Sequence, residues 1–327
     1  MSEIMICKGF RYYYTLLNNH DKKIYNLIVN GISKLKIQIS IPPTNIRKVE
    51  KISNYIRLDI PEFFYIKSAK MSVHANYVIK LIYEYRFGYE VIKKILLESE
   101  NAICDITKKC SLLSDYDKVK AIHDYLIIVC DYMDADMPYS HEMPGAILYG
   151  RAVCEGISKA FKFIADRVGL NVICVCGVIL KTNENHAWNK IQINDKYTNI
   201  DVTFDLGFSI NNHIRYDYFC FSDFEFSDRI ENKKQVVAYA SYNYYVREKL
   251  FAAKKSDLNN ILVTRLKINK WISFQIPRID ISDEQMIHAI SDIIQSDNEI
   301  KLIEYEIELI PNKETFVYSC KISHSTI

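Results

Sequence analysis

Glycine and proline are scarce in this chain, at 9 and 7 residues among 327. That scarcity excludes collagen-like repeats, flexible Gly/Ser linkers and polyproline spacers. No apolar run approaches the roughly 20 residues needed to span a bilayer, so no membrane association is expected. The opening stretch MSEIMICKGFRYYYTLLNNH lacks an uninterrupted apolar segment and a small-residue cleavage site, and does not read as a signal peptide. An excess of charge of one sign is missing too. With 42 Lys or Arg against 40 Asp or Glu, the formal net charge is +2. This argues against a dominant nucleic-acid surface, because phosphate binding rests on clustered Lys and Arg. Nine cysteines are present, but they are odd in number, follow no framework spacing and contain no Cys-x-x-Cys pair. Reduced thiols in a cytoplasmic protein are the expectation.

What is present is the composition of an ordinary folded chain, 49% hydrophobic and 25% charged, long enough for one large domain or two to three small ones. Before residue 114, KLKIQIS alternates like a strand, NIRKVEKISNYIRL spaces its apolar residues as a helix, and NYVIKLIYEYRF alternates again. YEVIKKILLESENAICDITKKC is a further helical stretch. From Ser114, SDYDKVKAIHDYLIIVC offers an N-cap and places Val119, Ile122, Leu126 and Val129 on one stripe. Ile157, Phe161, Ile164 and Val168 form another such stripe, stopped by Gly169. NVICVCGVIL reads as a buried strand; HAWNKIQI and KYTNIDVTF read as a hairpin turned by Asn194 and Asp195. The last hundred residues run strand, helix, strand, strand, a loose echo of residues 35 to 86.

Three residues suggest chemistry. Cys154 falls where a helix begins, so unpaired amide N–H groups and the positive end of the helix dipole favour its thiolate. Gly156 costs about 1 kcal/mol inside a helix relative to Ala, which suggests that another segment approaches closely at that turn. His186 stands at the head of one hairpin strand and Asp201 on the return strand. If Asn194 and Asp195 form a two-residue turn, Ile193 faces Lys196, Trp188 lies opposite Asp201, and His186 is its diagonal neighbour on one face. A three-residue turn without a bulge would put the two side chains on opposite faces. Taken singly, a buried Cys is usually a small core residue, and a His beside a Trp is usually structural. The ordered triplet of nucleophile, base and orienting acid shifts that balance.

The segment DKVKAIHDYL…GRAVCEGISKAFKFIADRVGL…NHAWNKIQINDKYTNIDVTFD resembles the transglutaminase-like superfamily over about residues 114 to 230. The resemblance implies an α+β protein with a papain-like core, in which the nucleophile helix packs on an antiparallel sheet. It implies Cys154 as nucleophile, His186 as base and Asp201 as orienting acid. The expected organisation is an accessory α+β region at 1–113, the catalytic core at 114–230 and a second accessory α+β region at 231–327. The implied activity is acyl transfer through a thioester on peptide or protein amides, with a peptidase or a transglutaminase outcome. An amide-forming enzyme using a carrier-bound acyl group, or a binding module that kept the fold, are the alternatives. Cys154 and Tyr149 are the candidates for the oxyanion donors, and Trp188, Tyr197 and His141 for lining the cleft. Tyr197 and Phe204 stand where related sequences often carry Trp.

Neither a metal nor a cofactor is expected. Cys174 and Cys176 share one strand face and make a poor zinc site without further ligands. Asp131, Asp134 and Asp136 lack the glycine and terminal glutamate of a calcium loop. His123 reads as core packing. Residues 231–270 hold nine Lys or Arg against three Asp or Glu, interleaved with YASYNYYV. They suit nucleic acid, an acidic protein or a carrier partner, or simply a solvated helix face with a Tyr-rich core side. The Tyr239–Tyr245 stretch is expected to form, or to support, a wall of the cleft.

Overall fold

The computed structural model describes residues 3–133, 137, 139–210, 213–225, 229–231, 236–265, 267, 270–279, 281–296 and 305–324. Its centre is a five-stranded antiparallel sheet ordered Arg229–Glu231, Asn171–Ile179, Glu184–Ile193, Lys196–Ile200, Phe219–Phe221. The helix Cys154–Arg167 packs on this sheet and buries Ile157, Phe161 and Ile164. These are the positions the 3.6-residue stripe selects. Gly169, at φ +78°, ends the helix turn in a conformation that side chains rarely adopt. The helix Asp115–Val129 is capped by Ser114, whose Oγ accepts the Asp117 N–H at 3.2 Å, and buries Val119, Ile122 and Leu126. The fold is therefore α+β with a papain-like core. Among the described residues no helix is long and apolar enough to cross a membrane.

Before the core lie the strand Gln38–Asn45, the helix Ile46–Asp59 and the strands Ile66–His74 and Tyr77–Tyr85. After it lie the strand Trp271–Gln275, the helix Asp283–Ser296 and the strands Tyr305–Asn312 and Val317–His324. Each set closes an antiparallel three-stranded sheet in the order first, third, second. The echo in element order is thus an echo in topology. The strand Ile66–His74 carried no alternating signal because it is an edge strand with mostly exposed or half-exposed side chains.

Polar ties join both flanks to the core. Lys162, almost fully buried on the helix Cys154–Arg167, donates to Phe10 O at 2.6 Å and Val172 O at 3.2 Å, and pairs with Asp166 at 3.0 Å. Tyr13 Oη donates to Cys174 O at 2.7 Å. One apolar cluster accordingly runs from Ile4 through the helix and sheet to Tyr245 and Val317. On the other side, Arg215 and Asp217 form a buried bidentate pair at 2.9 and 2.7 Å. Asp217 also accepts from Tyr245 Oη, Asn312 Nδ2 and Thr315 Oγ1, and Arg215 donates to the carbonyls of Ile310 and Val317. A second apolar cluster, from Ala252 to Ile322, fills the C-terminal sheet and its helices.

Candidate active site

Cys154 is the first residue of its helix and is half-buried. The preceding Val153 is extended and supplies no side-chain cap, so the first-turn N–H groups are left to the backbone and the site. Gly156 is explained by a close approach. A Cβ there would lie 2.3 Å from the carbonyl oxygen of Ser140, whose same oxygen accepts the Val153 N–H at 3.0 Å. The loop before the helix is thereby clamped against the first turn.

The hairpin takes the two-residue turn. Ile193 pairs with Lys196, Asn194 sits at φ +53°, and the register runs to Asn189 opposite Ile200. The return strand stops one residue short of Asp201, a correction to its placement within the strand. Asp201 instead caps the helix Val202–Phe208, with Oδ1 accepting the Phe204 N–H at 3.2 Å. Aspartate is a strong N-cap, so the change of secondary structure falls where the carboxylate stands. Its other oxygen, Oδ2, lies 2.7 Å from His186 Nε2. That leaves Nδ1 as the ring nitrogen available to Cys154, which lies close enough to His186 to act on its charge.

His186 is 7% exposed and Asp201 1%. Burial alone would lower the basicity of the imidazole, but the Asp201 charge and hydrogen bond, together with Cys154, outweigh it and raise the ring to about 9. Burial likewise disfavours ionised Asp201, yet His186 and Arg229 hold its carboxyl below the usual carboxylate range. The ring stands face-on to Trp188 at 6.1 Å and edge-on to Phe204 at 5.0 Å. Trp188 in turn donates from Nε1 to Asn199 Oδ1 at 3.0 Å. Beside His186 opens a cleft of about 700 Å³, lined among others by Tyr132, Asn185, Thr203, Phe204 and Phe208.

On the other side of Cys154, Glu155 pairs with Arg57, with Lys159 at 2.8 Å and with His141 Nδ1 at 3.5 Å. His141 is therefore beside the nucleophile's neighbour. Trp188 is buried behind the imidazole. Tyr197, expected in the cleft, pairs with Gln192 six positions along the strand from His186, about 20 Å away at strand rise. The hairpin places it at the far end of the sheet. Tyr149 is exposed and stacks on Tyr139 at 5.3 Å, which in turn packs against Phe64 and Phe87. Its ring belongs to that aromatic group on the N-terminal side. The Tyr239–Tyr245 side chains are not among the cleft's lining residues: Tyr244 stacks on Tyr216 at 3.8 Å, Tyr242 packs against Tyr116, and Tyr239 N donates to Tyr197 O.

Cys174 is buried with its thiol pushed up to about 12, and burial also raises Cys176. His123 is fully buried between Asp124 at 3.1 Å and Asp205 at 3.0 Å, bracing the helix that Asp201 caps. Asp131 is exposed, whereas Asp134 and Asp136 lie outside the described residues. In the basic stretch, Arg247 lies over the Tyr116 ring and Lys255 pairs with Asp292, while Lys233 and Lys234 lie outside the described residues.

One residue of the site was not foreseen. Arg229, with its side chain 3% exposed, donates from Nη1 to Asp201 Oδ2 at 2.6 Å. No local pattern marks it, because its position depends on pairing with Ile179 at the distant end of another strand.

Residues 105–202 match the family model of the Transglutaminase-like superfamily. The segment that contains Cys154, His186 and Asp201 is thus transglutaminase-like. Among solved structures, one described as "Crystal structure of a TGase" is 16% identical, with 51% of this chain and 50% of that chain covered and a TM-score of 0.29. The chain spans about half the length of that structure. LapG of Legionella pneumophila (EGTA-treated) is 11% identical, with 48% and 86% covered and a TM-score of 0.32. No curated protein matches the sequence significantly.

Proposed function

We propose that the chain is a cysteine-nucleophile acyl-transfer enzyme acting on peptide or protein amides, with Cys154, His186 and Asp201 as its triad. The observation that carries this reading is the placement of Cys154 at the start of its helix beside His186, whose Nε2 is held at 2.7 Å by a buried, ionised Asp201. In this reading the thiolate attacks the carboxamide carbon, and the tetrahedral adduct collapses by breaking the C–N bond. The leaving amine takes its proton from the imidazolium. Asp201 keeps Nε2 protonated, so that Nδ1 faces sulfur. The Cys154 backbone N–H is the proposed first oxyanion donor. Water or a second amine then cleaves the thioester, releasing an acid or a new amide and restoring the thiol. The catalytic unit is proposed to span 114–230, with the flanks 1–113 and 231–327 shaping access.

Intact-mass measurement during turnover of a peptide-amide panel tests the proposal. An acyl adduct confined to Cys154, resolved to acid by water or to amide by an added amine, is the expected result. Absence of any adduct, with Cys154 alkylated no faster than Cys104, would overturn it.

A further inference from the structure

We propose that Arg229 is a positioning residue, a fourth member of the site that acts on His186 through the Asp201 oxygen they share. The proposal rests on the assignment of His186 and Asp201 to the triad. Two donors converge on Oδ2 of Asp201, His186 Nε2 at 2.7 Å and Arg229 Nη1 at 2.6 Å, while Oδ1 is held by the Phe204 N–H. The carboxylate is therefore tied on both oxygens and cannot rotate away from the imidazole without breaking several bonds. Arg229 is fixed in turn by an aromatic surround, with its guanidinium 4.4 Å from the Phe204 ring centre, 5.3 Å from Tyr218, 5.7 Å from Phe221 and 5.9 Å from Trp188. Phe204 and Trp188 are the same rings that flank His186. It is brought there by the strand Arg229–Glu231 at the edge of the central sheet.

The electrostatic consequence follows from sharing one oxygen. A lone buried carboxylate would bind the imidazolium proton very tightly and make His186 a poor acid toward a departing amine. A guanidinium on the same oxygen competes for that charge and repels the imidazolium, so it limits how far His186 is raised. Among the described residues, Asp201 from the helix cap and Cys154 from the nucleophile helix act on His186, Glu184 lines the same cleft, and Arg229 from the edge strand reaches the ring through the shared Asp201 oxygen. Among the described residues, the charged groups facing Asp201 are His186 and Arg229.

The test is the His186 titration, followed by NMR of ring-labelled histidine in the full chain. Arg229→Met keeps the stem and its aromatic packing but removes the charge; Arg229→Lys keeps the charge. The expected result is a His186 midpoint about one unit higher in the Met variant, with the Lys variant nearer the parent. If the Met variant does not fold, Arg229→Gln serves as the uncharged member. Equal midpoints in the charged and uncharged variants, or the reverse order, overturn the proposal. A role in folding alone would lower stability without separating the midpoints of the charged and uncharged variants. Because this readout needs no turnover, it is separable from the acyl-adduct test. An absent adduct with a displaced midpoint defeats the proposed function and leaves the Arg229 assignment standing.

Discussion

The Oδ1 atom of Asp201 accepts the backbone N–H of Phe204 at 3.2 Å, so the carboxylate bonded to His186 also starts a helix. Replacement by Asn and by Ala should therefore separate two effects. Asp201→Asn keeps an N-cap acceptor and removes the charge; turnover should fall about 10²- to 10⁴-fold, and stability should fall because buried Arg229 loses its carboxylate partner. Asp201→Ala should lose the activity and, in addition, about 1 kcal/mol of stability through the cap. Cys154→Ala should abolish turnover altogether. Comparing kcat with urea midpoints checks the separation, and equal stability in the Asn and Ala variants would contradict it.

Cys154 should be the fastest-alkylated of the nine cysteines. Burial pushes Cys130, Cys174 and Cys320 up to about 12 and raises Cys7, Cys110, Cys176 and Cys220 as well. Cys104 is the informative comparison, since it too begins a helix and is half-buried. Its charged neighbour is Lys108 rather than a histidine. Peptide mapping after brief, limiting iodoacetamide should show Cys154 well ahead of Cys104; labelling in the opposite order would sink the thiolate assignment.

The pH dependence has a definite sign. His186 is raised from 6.5 to about 9, so its imidazolium persists through neutrality and is lost as pH rises through about 9. Turnover that uses the imidazolium as acid should fall across that range. The stability that the raised value supplies is fully present below about 6.5 and disappears on the same alkaline rise. A pH–rate profile and urea midpoints at pH 6 and pH 10 are the measurements, with His186→Gln expected to lose this component of the pH slope. A stability loss confined to acid pH would count against the assignment.

Lys162→Met should destabilise the protein by about 3–5 kcal/mol, because it leaves Asp166 as a buried charge without its ammonium partner. Lys162→Met paired with Asp166→Leu should recover much of that loss. A double-mutant cycle by denaturant unfolding decides it, and simple additivity of the two changes would argue against the pairing.

Gly156→Ala has two opposed contributions. Helix propensity favours Ala by about 1 kcal/mol. Against it, the new methyl would stand 2.3 Å from Ser140 O, a backbone atom that must move. Overpacking of that kind costs about 1–3 kcal/mol, so a net loss is expected together with slower alkylation of Cys154 as the clamped loop shifts. An Ala variant more stable than the parent would show that the loop yields freely.

The central helices, the hairpin register and the pairing of His186 with Asp201 were legible because each rests on spacing within a short stretch. Ile157, Phe161 and Ile164 declare a buried face, and Asn194–Asp195 sets which residues oppose each other. The switch from strand to helix at Asp201 was not legible, since NIDVTF is rich in β-formers and its helix depends on a single cap. Arg229 was invisible for a different reason. Its meaning arises from long-range pairing with Ile179, which no local pattern encodes. Tyr197 shows the converse error, in which aromatic character suggested a cleft position that the hairpin geometry denies.

The buried Arg215–Asp217 pair bears on how such a chain could have diversified. Asn312, Thr315 and the carbonyls of Ile310 and Val317 complete a polar cluster whose other half belongs to the central unit. Exchange of the last sheet for an unrelated one would strand both ions in an apolar surround, at a cost of several kcal/mol. Recombination at that junction is thereby disfavoured, and the two parts are constrained to change by coordinated substitution rather than by shuffling.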